Sequence, residues 1–219
     1  MTMARNVFIS FRYSDGHDYK DELASLFDSN TDTVDFSEDE DRSQMSDDKI
    51  RSFLYGKLKH SSVTIMLLTP QAIEYHIKEY FNPQTFRYEK VFDDWIYDEM
   101  RYSLEDRNGN PTNGIIAVYV PEAKPYLMTE TTHKCDVCRH ISTVTCITRR
   151  NNLVFYNMMN VLPEYKKYQC PGVYDGTWDS YCSLVAYDDF KENLSDYIDY
   201  AIQKRNELYK YNLCKRLQP

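Results

Sequence analysis

Glycine is scarce in this chain, with only six among its 219 residues. Loops that cradle phosphate groups usually need several glycines at fixed spacing. Neither the Gly-x-x-x-x-Gly-Lys pattern nor the Gly-x-Gly-x-x-Gly pattern occurs, and the Gly-x-Ser-x-Gly turn of many hydrolases is absent as well. The sequence therefore argues against the common glycine-loop nucleotide sites and against that class of hydrolase.

Long apolar segments and an excess of positive charge are also absent. No apolar run follows Met1 as in a secretory signal, and the longest such run, Val63–Leu68, is far shorter than the roughly 20 residues that span a membrane. The formal net charge is −8, which argues against nucleic acid as the main partner. We therefore expect a cytoplasmic protein with no membrane or nucleic-acid partner, in which the six cysteines remain thiols.

Short apolar runs alternate with stretches of helical periodicity along most of the chain. Strand-like runs are predicted at 6–11, 33–37, 61–69, 114–120 and 183–187, and helices at 19–27, 46–58, 93–105 and 188–208. This alternation is typical of an α/β fold with a parallel sheet between two layers of helices. The length favours a single domain over residues 1–210, with insertions at about 70–92 and 122–181 and a tail at 211–219.

The two insertions lack a clear period. We interpret 71–92 as a helical turn followed by a long, aromatic loop, and 122–181 as irregular, with 152–162 fitting a strand and a helix equally well. In parallel sheets, ligands bind beyond the carboxyl ends of the strands. Residues 10–13, 35–37 and the approach to residue 95 lie at such ends, so we expect them to converge on one cleft.

Trp95 and Glu99 form the most informative pair. Residues four apart lie one above the other on a helix, which places an indole next to a carboxylate. A core Trp and a solvated Glu also fit this spacing. Taken together with the apolar strands at 7–11 and 63–68, after Ser61 and Ser62, and with the later strand at 114–120, the pattern resembles a TIR domain. It is most similar to the TIR-like ThsB proteins of bacterial Thoeris anti-phage defence.

The resemblance implies a flavodoxin-like fold with about five parallel strands and, in many members, consumption of NAD as a substrate rather than a bound cofactor. Glu99 is then the candidate catalytic residue. It also implies an ADP-ribose-type product, linear or cyclic, an effector protein activated by that product and a phage-derived trigger. The predicted substrate-binding residues are Phe8, Ser10, Arg12, Asp35, Ser37 and Trp95.

Each of these residues also has a purely structural explanation. Phe8 fits the core, Ser10 a strand end, Arg12 a surface ion pair, and Asp35 and Ser37 turn positions. Some TIR domains are adaptors without activity, so a non-catalytic interaction module, including a homo-oligomer, is the alternative function. A phospho-accepting response domain is a weaker alternative, because the middle strand ends in Thr-Pro rather than in an acidic residue.

The second insertion contains a Cys-x-x-Cys pair. Cys135 and Cys138 have the spacing of a zinc knuckle, and His133, His140 or Cys146 could complete a tetrahedral site. No second Cys-x-x-Cys occurs, so ordinary thiols in an insertion explain the pattern equally simply. The other cysteines are scattered and predict no site.

Overall fold

A computed structural model of the chain describes residues 5–28, 33–35, 47–107, 111–139, 141–147, 152–168, 170 and 173–219. The strands are β1 (Arg5–Ser10), β2 (Thr33–Asp35), β3 (Val63–Leu68), β4 (Ile77–Asn82), β5 (Arg87–Phe92), β6 (Gly114–Tyr119), β7 (Met128–Lys134), β8 (Ile141–Ile147) and β9 (Cys182–Ala186). Five of these form one parallel sheet in the order β2-β1-β3-β6-β9.

The middle of the sheet explains the apolar runs in the sequence. All six side chains of β3 are buried, as expected for a strand that has neighbours on both sides and helices on both faces. When the sheet strands alone are counted along the chain, their spatial order is 2-1-3-4-5, which is the order of flavodoxin-like folds. The predicted α/β fold with about five parallel strands is therefore confirmed.

The helices are α1 (Tyr13–Asp28), α2 (Asp47–His60), α3 (Trp95–Leu104), α4 (Lys124–Leu127), α5 (Leu153–Tyr156), α6 (Tyr187–Glu192) and α7 (Leu194–Asn206). One face of the sheet is covered by α2 and α3. Phe8 of β1 forms an apolar cluster with Leu54 and Leu58 of α2. On the next strand, the Thr64 hydroxyl lies 2.8 Å from the hydroxyl of Ser103 in α3.

The opposite face is covered by α1 and α7. Val7 pairs in register with Val63, and Val63 with Gly114, so these three residues lie on the face that Phe8 does not share. At Gly114, the backbone approaches Ala201 of α7 so closely that a Cβ atom would lie 2.3 Å from the Ala201 carbonyl oxygen. The sheet thus has helices on both sides, in three layers.

The first insertion differs from the prediction. The interpretation of 71–92 as a helical turn and a loop is wrong, because 77–92 forms an antiparallel hairpin of β4 and β5. Both strands are rich in aromatic and β-branched residues, which favour strands, and Phe86 adopts a positive φ of 53° in the turn. Among the strands that the structure describes, β4 and β5 pair only with each other, so their side chains are mostly exposed and lack the alternation that marks a half-buried strand.

Two helix boundaries also differ. The first helix begins at Tyr13, six residues before the predicted start, because the turn-forming residues Ser14, Asp15 and Gly16 lie inside its first turn. The predicted final helix is divided at Asn193, whose φ of −124° and ψ of 31° separate α6 from α7. The last predicted strand is confirmed as β9.

The second insertion is more regular than predicted. Residues 128–147 contain a second antiparallel hairpin, β7 with β8, and the undecided segment 152–162 contains the short helix α5. The tail lies against the domain: the amide of Cys214 donates to Asn157, and the Tyr97 hydroxyl donates to the Leu217 carbonyl. Within the described ranges, no helix has both the length and the apolar character needed to cross a membrane.

Candidate active site

Trp95 and Glu99 lie in the first half of α3, at the spacing that the sequence predicted. The helix begins after Asp94, whose carboxylate accepts a hydrogen bond from the amide of Ile96 at 3.0 Å. Glu99 is buried, with 7% of its surface exposed, and Trp95 is half-buried. The carboxyl group is thus held in the protein rather than in bulk water.

The end of β1 faces this carboxyl group. Ser10 is 1% exposed and shares with Phe8 the sheet face that α3 covers. Burial raises the pKa of Glu99 to about 8; the Ser10 hydroxyl acts in the opposite direction, and the charges of Asp94 and Asp98 add to the rise. The contact between Ser10 and Glu99 is a loose one, because no described atom forms a well-shaped hydrogen bond with Ser10 Oγ.

Arg12 and Asp94 form a buried ion pair next to Glu99. Arg12 Nη2 lies 2.7 Å from Asp94 Oδ2, and the side chains are 15% and 0% exposed. The same carboxylate oxygen accepts the backbone amide of His76 at 2.7 Å. Arg12 Nε has no hydrogen-bond partner among the described atoms. Asp94 therefore holds one edge of the guanidinium, and its Nε–H can still donate a hydrogen bond.

Phe8 and Trp95 belong to one apolar cluster between β1, α2 and α3. Phe8 is 1% exposed and packs with Leu54, whereas Trp95 lies at the border of the cluster. The guanidinium carbon of Arg51 lies 5.4 Å from the centre of the indole ring. The burial of Phe8 fits a core side chain rather than a pocket wall, while Trp95 retains an accessible part.

The remaining two predicted residues are Asp35 and Ser37, at and after the end of β2, the strand next to β1. Asp35 ends β2, level with Val7 of β1, and its side chain is outside the description. Ser37 lies outside the described residues altogether. Their predicted substrate contacts therefore stay predictions. Of the predicted site residues, the structure brings Ser10, Arg12 and Glu99 together.

Asp94 and His76 were not among the predicted site residues. Asp94 links α3, Arg12 and the segment before β4, and an Asp directly before a helical run is a recognisable N-cap signal. His76 lines a depression of about 320 Å³ near the carboxyl end of β3. The depression is lined by Pro70, Gln71, Ile73, Glu74, Tyr75, His76 and Tyr126.

The predicted zinc ligands are only partly brought together. Cys135 and Cys138 lie near each other, but the third thiol beside them belongs to Cys170, which the sequence did not single out. His140 lies outside the described residues, and Cys146 is placed in β8 without a described side chain. His133 is exposed on β7 and is not part of the described thiol group.

A comparison with protein families matches one segment of the chain. The family model of the Thoeris protein ThsB, TIR-like domain, matches residues 8–78, about a third of the sequence. Over these residues the chain is similar to ThsB-type TIR-like domains. The matched segment includes Phe8, Ser10 and Arg12 and ends before α3. It therefore covers one side of the site but not Glu99.

The site occupies the switch point of the flavodoxin-like sheet. Connections from β1 and β3 leave the sheet in opposite directions, since β2 lies beyond β1 and β6 beyond β3. Ligands of flavodoxin-like domains bind at this point, outside the carboxyl ends of the two strands. Thr69, directly after β3, donates to Asp15 in α1 at 2.7 Å and holds the two connections close.

Proposed function

We propose that this TIR-like domain cleaves the bond between nicotinamide and ribose in NAD, with Glu99 as the catalytic residue. The observation that carries the proposal is a buried carboxyl group at the switch point, with a pKa raised to about 8. A buried acid destabilises a fold once it ionises, and such groups concentrate at functional sites. The ThsB family match and the position of α3 support the same assignment.

The chemistry suits a carboxyl group in these surroundings. When the C1′–N bond breaks, its electron pair leaves with neutral nicotinamide and positive charge develops on the ribose. The pyridinium of bound NAD, placed beside Glu99, favours the ionised carboxylate, which then stabilises the oxocarbenium-like centre. Attack by water and loss of a proton gives linear ADP-ribose, whereas attack by a group of the same molecule gives a cyclic product.

The surrounding residues would hold the rest of the dinucleotide. Arg12 is oriented by Asp94 and keeps N–H groups for the pyrophosphate. Trp95 offers a half-exposed indole for stacking on a flat ring. The depression beside His76 has the dimensions of a small ligand pocket and adjoins the Arg12–Asp94 pair.

Product analysis with two matched variants tests the assignment. The purified protein is incubated with NAD, with and without extract of phage-infected cells, and nicotinamide and ADP-ribose products are quantified by chromatography and mass spectrometry. Glu99→Gln should reduce turnover by at least about a hundredfold, because the amide cannot carry the stabilising charge. Glu105→Gln changes the Glu directly after α3, which forms ion pairs with Arg101 and Arg216, and should leave turnover unchanged.

Two results would contradict the proposal: no nicotinamide release by the wild-type protein under either condition, or equal release by the wild type and Glu99→Gln. In the cellular setting we propose, an infection-derived trigger starts the reaction, and the nucleotide product activates a separate effector protein. Extract from cells expressing the wild type, but not Glu99→Gln, should then contain the product after infection.

A non-catalytic interaction module is the second candidate, and the hairpin of β4 and β5 favours it. Phe86 and Tyr88 are 80% and 72% exposed, and Phe81 is 48% exposed. Exposed aromatic side chains in a group are typical of protein contacts. This alternative expects Glu99→Gln to retain anti-phage function and expects removal of these three aromatic side chains to abolish it.

A further inference from the structure

Three cysteine side chains from two distant segments meet in the second insertion. Cys135 and Cys138 follow β7 in the turn of the second hairpin, and Cys170 lies 35 residues after Cys135. The Sγ atom of Cys170 is 3.1 Å from that of Cys135 and 3.5 Å from that of Cys138. All three sulfur atoms lie within 4.8 Å of one another.

This arrangement matches shared metal coordination better than thiol pairing. None of the three cysteines is in a disulfide, and one disulfide would in any case satisfy only two of them. Zinc–sulfur bonds are about 2.3 Å long, so two sulfurs on one tetrahedral zinc lie roughly 3.8 Å apart. A small adjustment of the thiols brings the group to that spacing.

The backbone of the hairpin turn fixes the positions of Cys135 and Cys138. The amide of Arg139 donates to the Cys135 carbonyl at 2.9 Å, and Arg139 has a positive φ of 60°, which closes the turn after the Cys-x-x-Cys pair. The amides of Val137 and Cys138 are directed at the Cys135 sulfur.

The third thiol is also held in place. Lys166 Nζ donates to the carbonyl of Cys170 at 2.8 Å, and this fixes the segment that follows the short 3-10 helix Pro163–Tyr165. Cys135 is buried and Cys138 is exposed, so the group lies at the surface, where an ion can reach it. Three soft thiolate donors favour zinc over the hard cations magnesium and calcium.

We propose that Cys135, Cys138 and Cys170 bind one zinc ion, and that a water molecule or a side chain outside this group supplies the fourth donor. The ion joins the turn of the second hairpin to the segment around Cys170 and so orders the insertion. This site is independent of NAD cleavage, because none of its three ligands belongs to the Glu99 site.

The metal content of the full chain tests the proposal. Protein purified with zinc present and then dialysed should retain one zinc per chain by elemental mass spectrometry. Cys138→Ser and Cys170→Ser should each weaken zinc binding by at least about tenfold, since even outer-shell changes cost that much. Cys214→Ser is the matched control and should retain the zinc, because that thiol contacts the Arg216 carbonyl elsewhere in the chain.

Alkylation of the wild-type protein gives a second readout that does not depend on how the variants fold. With zinc bound, Cys135, Cys138 and Cys170 should resist alkylation, and a chelator should expose all three, while labelling of Cys214 stays the same. Wild-type protein without zinc, stoichiometric zinc in Cys138→Ser and Cys170→Ser, or a disulfide between Cys135 and Cys170 in zinc-treated protein would each overturn the proposal.

Discussion

At the scale of single residues, the surroundings of Glu99 conflict with its chemistry. A carboxyl group prefers water, yet this one is buried against β1 and α3, with Asp94 and Asp98 nearby. Burial raises its pKa from 4.5 to about 8, so the folded protein holds the proton more tightly than the unfolded chain does. Proteins accept such a cost chiefly where the group is needed for function.

The raised pKa of Glu99 predicts how stability depends on pH. The stabilisation by the neutral acid is complete below pH 4.5 and is lost progressively as the pH rises towards 8. Glu99→Gln removes this loss because the amide stays neutral. We therefore expect the variant to match the wild type near pH 4.5 and to exceed its free energy of unfolding by about 2–4 kcal/mol at pH 8.

Urea unfolding of the two proteins across this pH range measures the difference directly. Glu105→Gln, which alters a partly exposed ion pair, should stay within about 0.5 kcal/mol of the wild type throughout. A constant offset between wild type and Glu99→Gln across this pH range would show that the Glu99 carboxyl ionises as easily in the fold as in the unfolded chain.

The sequence predicted some residues of the site better than others. The spacing of Trp95 and Glu99 is a local property of one helix, and the predicted helix was confirmed. The pairing of Arg12 with Asp94 joins positions 82 apart, so no local pattern could indicate it. Cys170 was missed for the same reason, since 35 residues separate it from Cys135.

At the scale of elements, the start of α3 joins three parts of the site. Asp94 caps the helix through one carboxylate oxygen and holds Arg12 and the amide of His76 through the other. The segment before β4 therefore depends on the same side chain that orients the helix carrying Glu99. Loss of Asp94 should disturb both.

Substitution of Asp94 separates its two roles. Asn caps helices about as well as Asp but cannot neutralise Arg12, so Asp94→Asn should lower the free energy of unfolding by about 3–5 kcal/mol. Asp94→Ala removes the cap as well and should cost about 1 kcal/mol more. Chemical denaturation of both variants tests this order: equal losses would show that the cap contributes nothing, and an unchanged stability of Asp94→Asn would show that Arg12 does not need the negative charge.

The strands that the sequence failed to predict were all missed for the same physical reason. Strands that pack on a core show apolar periodicity, and β1, β3, β6 and β9 were all predicted. The side chains of the hairpin strands β4, β5 and β7 are mostly exposed, so these strands carry polar residues on both faces. Their strand character lies in pairing with each other, which a single segment does not reveal.

At the scale of the whole molecule, the site depends on how tightly the helices pack on the sheet. The site lies between β1 and α3 on one face, while α1 and α7 support the other. On that supporting face, a helix approaches the sheet very closely at the start of β6. There Gly114 meets Ala201 of α7, and the backbone leaves no space for a side chain.

Replacing each of two glycines by alanine, which adds a single methyl group, tests this close packing. In Gly114→Ala the new Cβ would lie 2.3 Å from the Ala201 carbonyl oxygen and 2.6 Å from its carbonyl carbon, so α7 must shift away from the sheet. We expect the free energy of unfolding to fall by about 2–3 kcal/mol, as for other overpacked cores.

The same substitution at Gly56, an exposed position of α2 with no atom within 4 Å of the new Cβ, should instead raise the free energy of unfolding by about 0.5–1 kcal/mol. Thermal and urea unfolding of the two variants measure both changes in stability. If Gly114→Ala were as stable as the wild type, α7 would not pack on β6 as closely as these distances require.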